Sequence, residues 1–208
     1  YRIENVGTRQ ADRITSNDEE RKRQGFEIQT TFAFDASSYT ASMKVSDDAG
    51  DIIQIDYAQA AYISRINKGL RRRADKSEIG FYINPKTGVW VGKPKDDSSD
   101  EERPDQLKQL IVPLVEDRKN ALLIRFDDDW LSDLGKDADK TLTTFQHALA
   151  RGIEAVFQLE EGEILVEPTP SWSERRALLF YEAAEGGAGA LGQMVSEKGS
   201  IALVSRKA

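Results

Sequence analysis

Cysteine is absent from this chain of 208 residues, and histidine occurs once, as His147. The missing thiols exclude disulfides, thiolate catalysis, cysteine-ligated zinc and iron–sulfur clusters, and a single histidine leaves Ser-His-Asp and paired-histidine mechanisms incomplete. No run approaches the roughly 18 apolar residues of a membrane span, and the N-terminus has no secretion signal. The sequence therefore predicts a cytoplasmic, non-membrane protein in which only carboxylates are plentiful as reactive groups.

The charge balance is acidic, with 29 basic and 36 acidic residues and a net charge of −7. Hydrophobic residues make up 39% of the chain and aromatic residues 8%, which is typical of an ordinary globular protein of one or two domains. A chain of this size with so few catalytic side-chain types favours a binding or accessory module over a complete enzyme. Because it begins at Tyr1 and not at methionine, we expect a fragment of a larger protein.

One stretch divides the chain in two. Residues 93–106, KPKDDSSDEERPDQ, contain six acidic and three basic residues and no large apolar side chain. Such a segment has nothing to bury, so it predicts an acidic linker or loop. The predicted organisation is a β-rich part at residues 1–92, this linker, and an α/β part with a glycine loop at residues 107–208.

The N-terminal part is predicted to consist mainly of strands. Alternating apolar residues predict a strand at Phe26–Phe34, and turn-forming residues predict a hairpin around residues 84–88 and, beyond the linker, a second hairpin around residues 116–120. The other predicted elements are an edge strand at Tyr1–Thr8, a short charged helix at Asn17–Gln24, a strand at Thr40–Val45, and either two strands or one bent strand at Ile52–Ile66.

The C-terminal part combines a helix with buried strands. Apolar residues at three- and four-residue steps predict a long amphipathic helix over Ala138–Leu159, ended by Gly162. Two buried strands are predicted at Ile164–Pro168 and Ala177–Ala183, followed by a glycine loop and a helix that begins near Ala190. The predicted fold class is α+β, with antiparallel strands and hairpins, one long helix and a strand-glycine loop-helix unit.

Positive charge is concentrated in one place. Between residues 65 and 76 the only acidic residue is Asp75, whereas six residues are basic: Arg65, Lys68, Arg71, Arg72, Arg73 and Lys76. Clustered Arg and Lys can contact nucleic-acid phosphates, although the net charge of −7 would confine such contact to this segment. The alternative is a solvated or interdomain face. No aromatic residue for base stacking lies within the segment.

The glycine loop is the second candidate contact. Gly186, Gly187 and Gly189 follow a predicted strand and precede a predicted helix, where backbone N–H groups can hold an anion. The loop lacks the Lys-Ser/Thr ending of a P-loop and the glycine spacing of a dinucleotide fingerprint. The alternative is that these glycines only provide positive φ and close packing.

Other candidates have plainer interpretations. Acidic residues at Asp127–Asp129, with Glu182 and Glu185, could form a divalent-cation site, but no EF-hand spacing is present and solvated acidic loops are the default interpretation. His147 lies off the apolar stripe of the long helix. The three tryptophans, Trp90, Trp130 and Trp172, are interpreted as hairpin and core anchors. No catalytic residue and no metal ligand is assigned.

Several blocks together resemble a known family. They are Arg9 with Arg13–Ser16 and Glu19–Arg21, Gly25–Ile28, Ile66–Gly69 before Gly80-Phe81, Gly88–Trp90, and Tyr181-Glu182 before Gly186–Gly189. In these blocks the chain is similar to the C-terminal region of DEAD/DEAH-box helicase-related proteins that carry the MrfA-type zinc-binding (MZB) domain, found in bacterial DNA repair and in DISARM phage defence. The similarity runs from about Arg9 to Ala208.

The resemblance implies a non-catalytic accessory domain that engages DNA, a helicase core or a protein partner. The resemblance also implies that the parent protein is an ATP-dependent helicase or its partner. This chain itself has no Walker motifs, so it is not expected to hydrolyse ATP by that mechanism. The family's zinc cysteines follow the glycine loop, so this chain is expected to end before them and to hold no cofactor. Two alternatives stay open, a carboxylate-metal hydrolase or nuclease and a purely structural protein-protein interaction module.

Overall fold

The computed structural model describes residues 25–35, 40–48, 50–93, 107–171, 174–184 and 186–208. The described strands are β1 (Phe26–Ala33), β2 (Thr40–Asp47), β3 (Gly50–Leu70), β4 (Phe81–Ile83), β5 (Gln109–Ile111), β6 (Leu114–Phe126), β7 (Ile164–Ser171) and β8 (Glu174–Glu182). The described helices are α1 (Asp128–Leu134), α2 (Ala138–Phe157), α3 (Ala190–Ser196) and α4 (Ser200–Lys207). The predicted strand Tyr1–Thr8 and helix Asn17–Gln24 lie outside these residues.

A six-stranded sheet contains most of the strands. Its order is β1-β3-β6-β8-β7, with β2 also paired to β3, and a second sheet pairs β4 with β5. The strands on either side of β8 both run antiparallel to it, with Ala121 opposite Tyr181 and Ile164 opposite Glu182. The predicted α+β class with antiparallel strands is confirmed.

The large sheet is buried on both faces because successive residues of its central strands alternate between two clusters. Leu122 and Phe180 face the cluster that contains helix residues Leu142 and Leu191. Their neighbours Leu123 and Tyr181 face the opposite cluster, which packs against Phe32 and Phe34. This two-sided burial explains the continuous apolar runs of β6 and β8, and the glycine loop begins just after the end of β8.

The long helix agrees with its prediction. It runs over Ala138–Phe157, buries Leu142 and Ile153, and leaves His147 exposed. It ends earlier than Gly162 because Gln158 adopts a left-handed conformation, with φ of 54°. The predicted strand pair is also present as β7 and β8, and α3 begins at Ala190 as expected.

The hairpin predicted around residues 116–120 is wrong. β6 continues through this stretch as one strand of 13 residues. The polar side chains find partners along the strand: Glu116 accepts a hydrogen bond from Ser64 at 2.7 Å, and the Arg118 guanidinium lies 4.6 Å from the Tyr62 ring centroid. Because these contacts satisfy the polar residues, no turn is needed to expose them.

The hairpin predicted at Gly80–Gly92 forms only in part. The turn closes, with the Gly88 N–H donating to the Asn84 carbonyl at 2.8 Å. Beyond it, Trp90 makes a single bridge to Ile83, and β4 takes β5 as its strand partner instead. The other open alternative, at Ile52–Ile66, is resolved as one strand, β3, of 21 residues.

The chain forms two compact units. One comprises Tyr1–Gln29 and Arg65–Val115, and the other comprises Thr30–Ser64 and Glu116–Ala208. The predicted linker at residues 93–106 lies outside the described residues except for Lys93, so the predicted three-part organisation stays a prediction. Among the described helices, none has the length and apolar character needed to cross a bilayer.

Candidate nucleic-acid interface and glycine loop

The predicted basic residues belong to one unit, which we call the basic unit and define by the described residues 25–29, 65–93 and 107–115. Nine of these described residues are basic and three are acidic, and over its full bounds, Tyr1–Gln29 and Arg65–Val115, the unit has 17 basic and 14 acidic residues, a net charge of +3 in a chain whose total is −7. The basic residues are Arg65, Lys68, Arg71, Arg72, Arg73, Lys76, Lys86, Lys93 and Lys108, and the acidic residues are Glu27, Asp75 and Glu78.

Arg73 is held within the basic unit by several hydrogen bonds. Its Nη1 donates to Glu27 Oε2 at 2.7 Å and to the Leu70 carbonyl at 3.0 Å, and its Nη2 donates to the Lys76 carbonyl at 3.2 Å. Only 14% of its side chain is exposed. The hydrogen bond from Arg73 holds the pKa of Glu27 below its ordinary value, and the charge of Lys68, 3.9 Å away, adds to the effect. Arg73 is therefore a structural residue of this segment.

Arg71 and Arg72 differ from Arg73 because both are exposed. The backbone of Arg71 is fixed, since its N–H donates to the Gly25 carbonyl at 2.7 Å and its carbonyl accepts a hydrogen bond from Lys76 Nζ. Of the three consecutive arginines, the structure thus leaves Arg71 and Arg72 accessible to a ligand. Arg65 and Lys68 lie within β3 and are half-buried.

Trp90 belongs to the same unit and was missed as a surface residue. It is 56% exposed, and its ring meets Phe81 edge-on with 4.7 Å between centroids. Trp130 behaves as predicted for a core anchor, stacking on Phe126 with 5.7 Å between centroids. The turn before Trp90 gave a sequence signal for its position, but not for its exposure. Trp172 lies outside the described residues.

The glycine loop encloses a buried carboxylate from its own chain. Glu182, the last residue of β8, is 2% exposed. Its Oε2 accepts hydrogen bonds from Gly189 N at 3.0 Å and Asn120 Nδ2 at 3.1 Å, and its Oε1 accepts one from Leu191 N at 3.0 Å. Glu182 therefore satisfies the backbone donors where α3 begins.

Glycine is required at the centre of this loop. Gly187 has φ of +47°, and a Cβ added there would lie 1.6 Å from Glu182 Oε2. Gly186 and Gly189 also have positive φ, at +77° and +73°, but a Cβ at either would meet nothing within 4 Å. The close approach of Gly187 to Glu182 is what lets the loop fold over the carboxylate.

Asn120 and Lys119 complete the loop's support, and sequence reasoning missed both. Asn120 Nδ2 lies 3.5 Å from the Gly186 carbonyl in addition to its bond to Glu182, and Lys119 Nζ donates to the Ala183 carbonyl. Both residues are buried. They lie on β6 directly before Ala121, whose partner on β8 is Tyr181, the neighbour of Glu182. The sequence predicts a turn at these two residues, and only a continuous β6 places them beside the end of β8.

The prediction that Gly186, Gly187 and Gly189 contact an anion stays a prediction. α3 has only seven residues, and the N–H groups of Gly189 and Leu191 already donate to Glu182. An open cleft of about 730 Å³ lies beside the loop, but its described lining, which includes Tyr57, Asn120 and Gln193, has no charged side chain. The loop's described geometry is that of a structural element.

The C-terminal part of the chain matches a known family over α4, α3, the loop, both strands before it and much of α2. Residues 145–207 match the MrfA Zn-binding domain family. The resemblance predicted from the sequence is confirmed over this MZB segment, which contains Glu182 and the glycine loop. The match supports the prediction of an accessory domain of a helicase-like protein.

The comparisons with solved structures and with curated proteins do not extend this family match. A solved structure of the DUF1998 helicase MrfA bound to DNA is similar to 82% of this chain and to 19% of the helicase chain, with 10% identity and a TM-score of 0.38. The chain thus corresponds to about a fifth of that helicase. No curated protein matches this chain.

The residues of the MZB segment do not fit a zinc ion. The whole chain lacks cysteine, and its single histidine, His147, is exposed on α2. Within the described residues no group of three or more His, Cys, Asp or Glu side chains is arranged to hold a metal. Of the acidic residues singled out from the sequence, Glu182 is bonded to N–H donors, and Asp127 caps α1 by accepting from Asp129 N and Trp130 N, each at 3.0 Å.

Proposed function

We propose that this chain is a non-catalytic accessory domain of a helicase-like protein and that it engages DNA, a neighbouring domain or a partner subunit in DNA repair or phage defence. The observation that carries the proposal is the family match over residues 145–207. Glu182, the buried carboxylate at the loop, is engaged in holding the backbone.

The basic unit is the part of this domain that we assign to DNA. The segment Arg65–Lys76 contains six basic residues and one acidic residue in a chain whose net charge is −7, so attraction to a phosphate backbone is confined to this segment. Arg71 and Arg72 are exposed on a fixed backbone, and the guanidinium group binds phosphate oxygens in a bidentate manner. Arg73 contributes by positioning the segment through Glu27.

Replacing Arg71 and Arg72 together by alanine should weaken DNA binding for all sequences alike. Phosphate contacts carry no base information. Log affinity falls with increasing log salt, and for each duplex phosphate contact that is lost this fall should become less steep, by about 0.9 in slope. Fluorescence anisotropy titrations of labelled DNA at several salt concentrations measure both quantities. Arg73 is left unchanged because its loss would disturb the fold.

The matched control replaces Lys136 and Lys140 by alanine, which removes the same charge from exposed residues of the other unit. This variant should keep the wild-type salt slope. An equal loss of slope in both variants would mean that only net charge matters and would contradict the assignment to Arg71 and Arg72. Salt-resistant binding of a partner protein without any DNA binding would favour the purely structural interaction module instead.

A further inference from the structure

Trp90 is presented by a turn that is already formed. The buried Asn84 side chain accepts hydrogen bonds from Lys86 N at 2.9 Å and Thr87 N at 3.2 Å. On either side of Trp90, the Val89 carbonyl accepts from Asn84 N and the Val91 N–H donates to the Tyr82 carbonyl, both at 2.9 Å. The backbone of Trp90 is therefore fixed, and a ligand that contacts its ring need not order the turn.

A row of aromatic rings connects Trp90 to the segment that carries the arginines. Trp90 contacts Phe81, and Phe81 contacts Phe26 with 6.0 Å between ring centroids. The chain neighbours of Phe26 are the residues that bind the basic segment, because Gly25 accepts from the Arg71 N–H and Glu27 pairs with Arg73. The exposed tryptophan and the exposed arginines thus belong to one connected arrangement.

The turn itself adds one positive charge close to Trp90. Lys86 lies within the turn and is exposed, whereas the charge of Lys93, three residues after Trp90, is paired with Glu78 at 2.9 Å. An exposed aromatic ring in a surplus of positive charge is the combination by which proteins bind single strands, since unpaired bases stack on the ring while cations follow the phosphates. In a duplex the base faces are already stacked.

We propose that Trp90 is a base-stacking residue and that the basic unit binds single-stranded DNA. The inference rests on the proposed DNA contact and names the form of DNA that this contact takes. Arg71 and Arg72 supply the salt-dependent attraction to phosphates, and Trp90 supplies a contact that depends on an unpaired base and little on its identity.

The competing occupant of this surface is a protein. Several aliphatic side chains of the basic unit are exposed as well, namely Leu70, Ile79, Val89, Leu110, Val112, Leu114 and Val115. Aliphatic groups suit a protein interface and give no stacking with bases. The concentration of basic residues at Arg65–Lys76, together with an exposed indole, favours DNA, and binding measurements on single-stranded and duplex DNA separate the two occupants.

The test compares wild type with Trp90→Ala, Trp90→Phe and the control Val89→Ala, using labelled oligothymidylate and a duplex of equal length. Stacking is worth roughly 1–3 kcal/mol per base, so Trp90→Ala should bind the single strand about 5- to 150-fold more weakly while its duplex affinity changes little. Trp90→Phe should lose less, and Val89→Ala should match wild type. Oligothymidylate should quench the tryptophan fluorescence of wild type, and this quenching should fall in Trp90→Phe.

Each failure has a distinct meaning. Unchanged single-strand affinity in Trp90→Ala, or an equal loss for single strand and duplex, would overturn the stacking role while leaving the proposed DNA contact intact. Failure of the wild-type protein to bind either form would contradict the DNA contact itself and would leave the exposed surface to a protein partner. Thermal unfolding of each variant shows whether a lost affinity reflects a lost fold.

Discussion

Replacing Gly187 by alanine is expected to destabilise the protein by about 3 kcal/mol, the combined scale of backbone strain and overpacking. The residue has φ of +47°, and its new Cβ would lie 1.6 Å from Glu182 Oε2 and 2.8 Å from Glu182 Cβ. The second atom is close to the β8 backbone, so the side chain cannot simply rotate away. Urea unfolding followed by circular dichroism should show a lower midpoint.

Gly186→Ala is the matched control for this loss. Gly186 also has positive φ, at +77°, but a Cβ there would meet no atom within 4 Å. Only the left-handed conformation is penalised, at about 1 kcal/mol. Equal destabilisation by the two substitutions would contradict the close packing of Gly187 on Glu182.

Replacing Glu182 by alanine should also cost about 3 kcal/mol, because buried donors that lose their acceptor each forfeit roughly 1–3 kcal/mol unless water reaches them. Three donors share this carboxylate: Asn120 Nδ2, Gly189 N and Leu191 N. The urea midpoint should fall and the start of α3 should lose protection from hydrogen exchange. Glu182→Gln, which keeps one acceptor oxygen, should lose less.

The Glu182→Ala and Gly187→Ala substitutions should not be additive. Removing the carboxylate also removes atoms that the Cβ added at position 187 would strike, so the double variant should be more stable than the sum of the single losses implies. Additive losses would mean that the two residues act independently, and would count against the loop geometry.

The sequence predicted best where local periodicity and the tertiary environment agree. The apolar repeat of α2 and the apolar run of β8 match their buried faces, whereas β7, predicted as a buried strand, is mostly half-buried. Residues 116–120 failed as a prediction because their polar composition is typical of a turn, whereas partners on other strands, such as Ser64, satisfy them within β6. No local pattern contains that information.

The candidate interface was likewise predictable from the sequence only in part. The concentration of basic residues was visible in the sequence, but the three arginines were treated as equivalent. The structure separates Arg73 from Arg71 and Arg72 through Glu27, which lies 46 residues away in the chain. The sequence likewise predicts Trp90 as a hairpin anchor, whereas in the structure it makes one bridge, to Ile83, and 56% of it is exposed.

Photo-crosslinking tests the central claim, that DNA contacts this domain through the basic unit. A bromodeoxyuridine-substituted single strand bound to the whole chain is irradiated, and the linked peptides are identified by mass spectrometry. We predict crosslinks within residues 65–93, including the peptide that carries Trp90, and their reduction in the Arg71→Ala/Arg72→Ala variant. Crosslinks confined to Glu116–Ala208, including those to the glycine loop, would contradict the assignment of DNA to the basic unit.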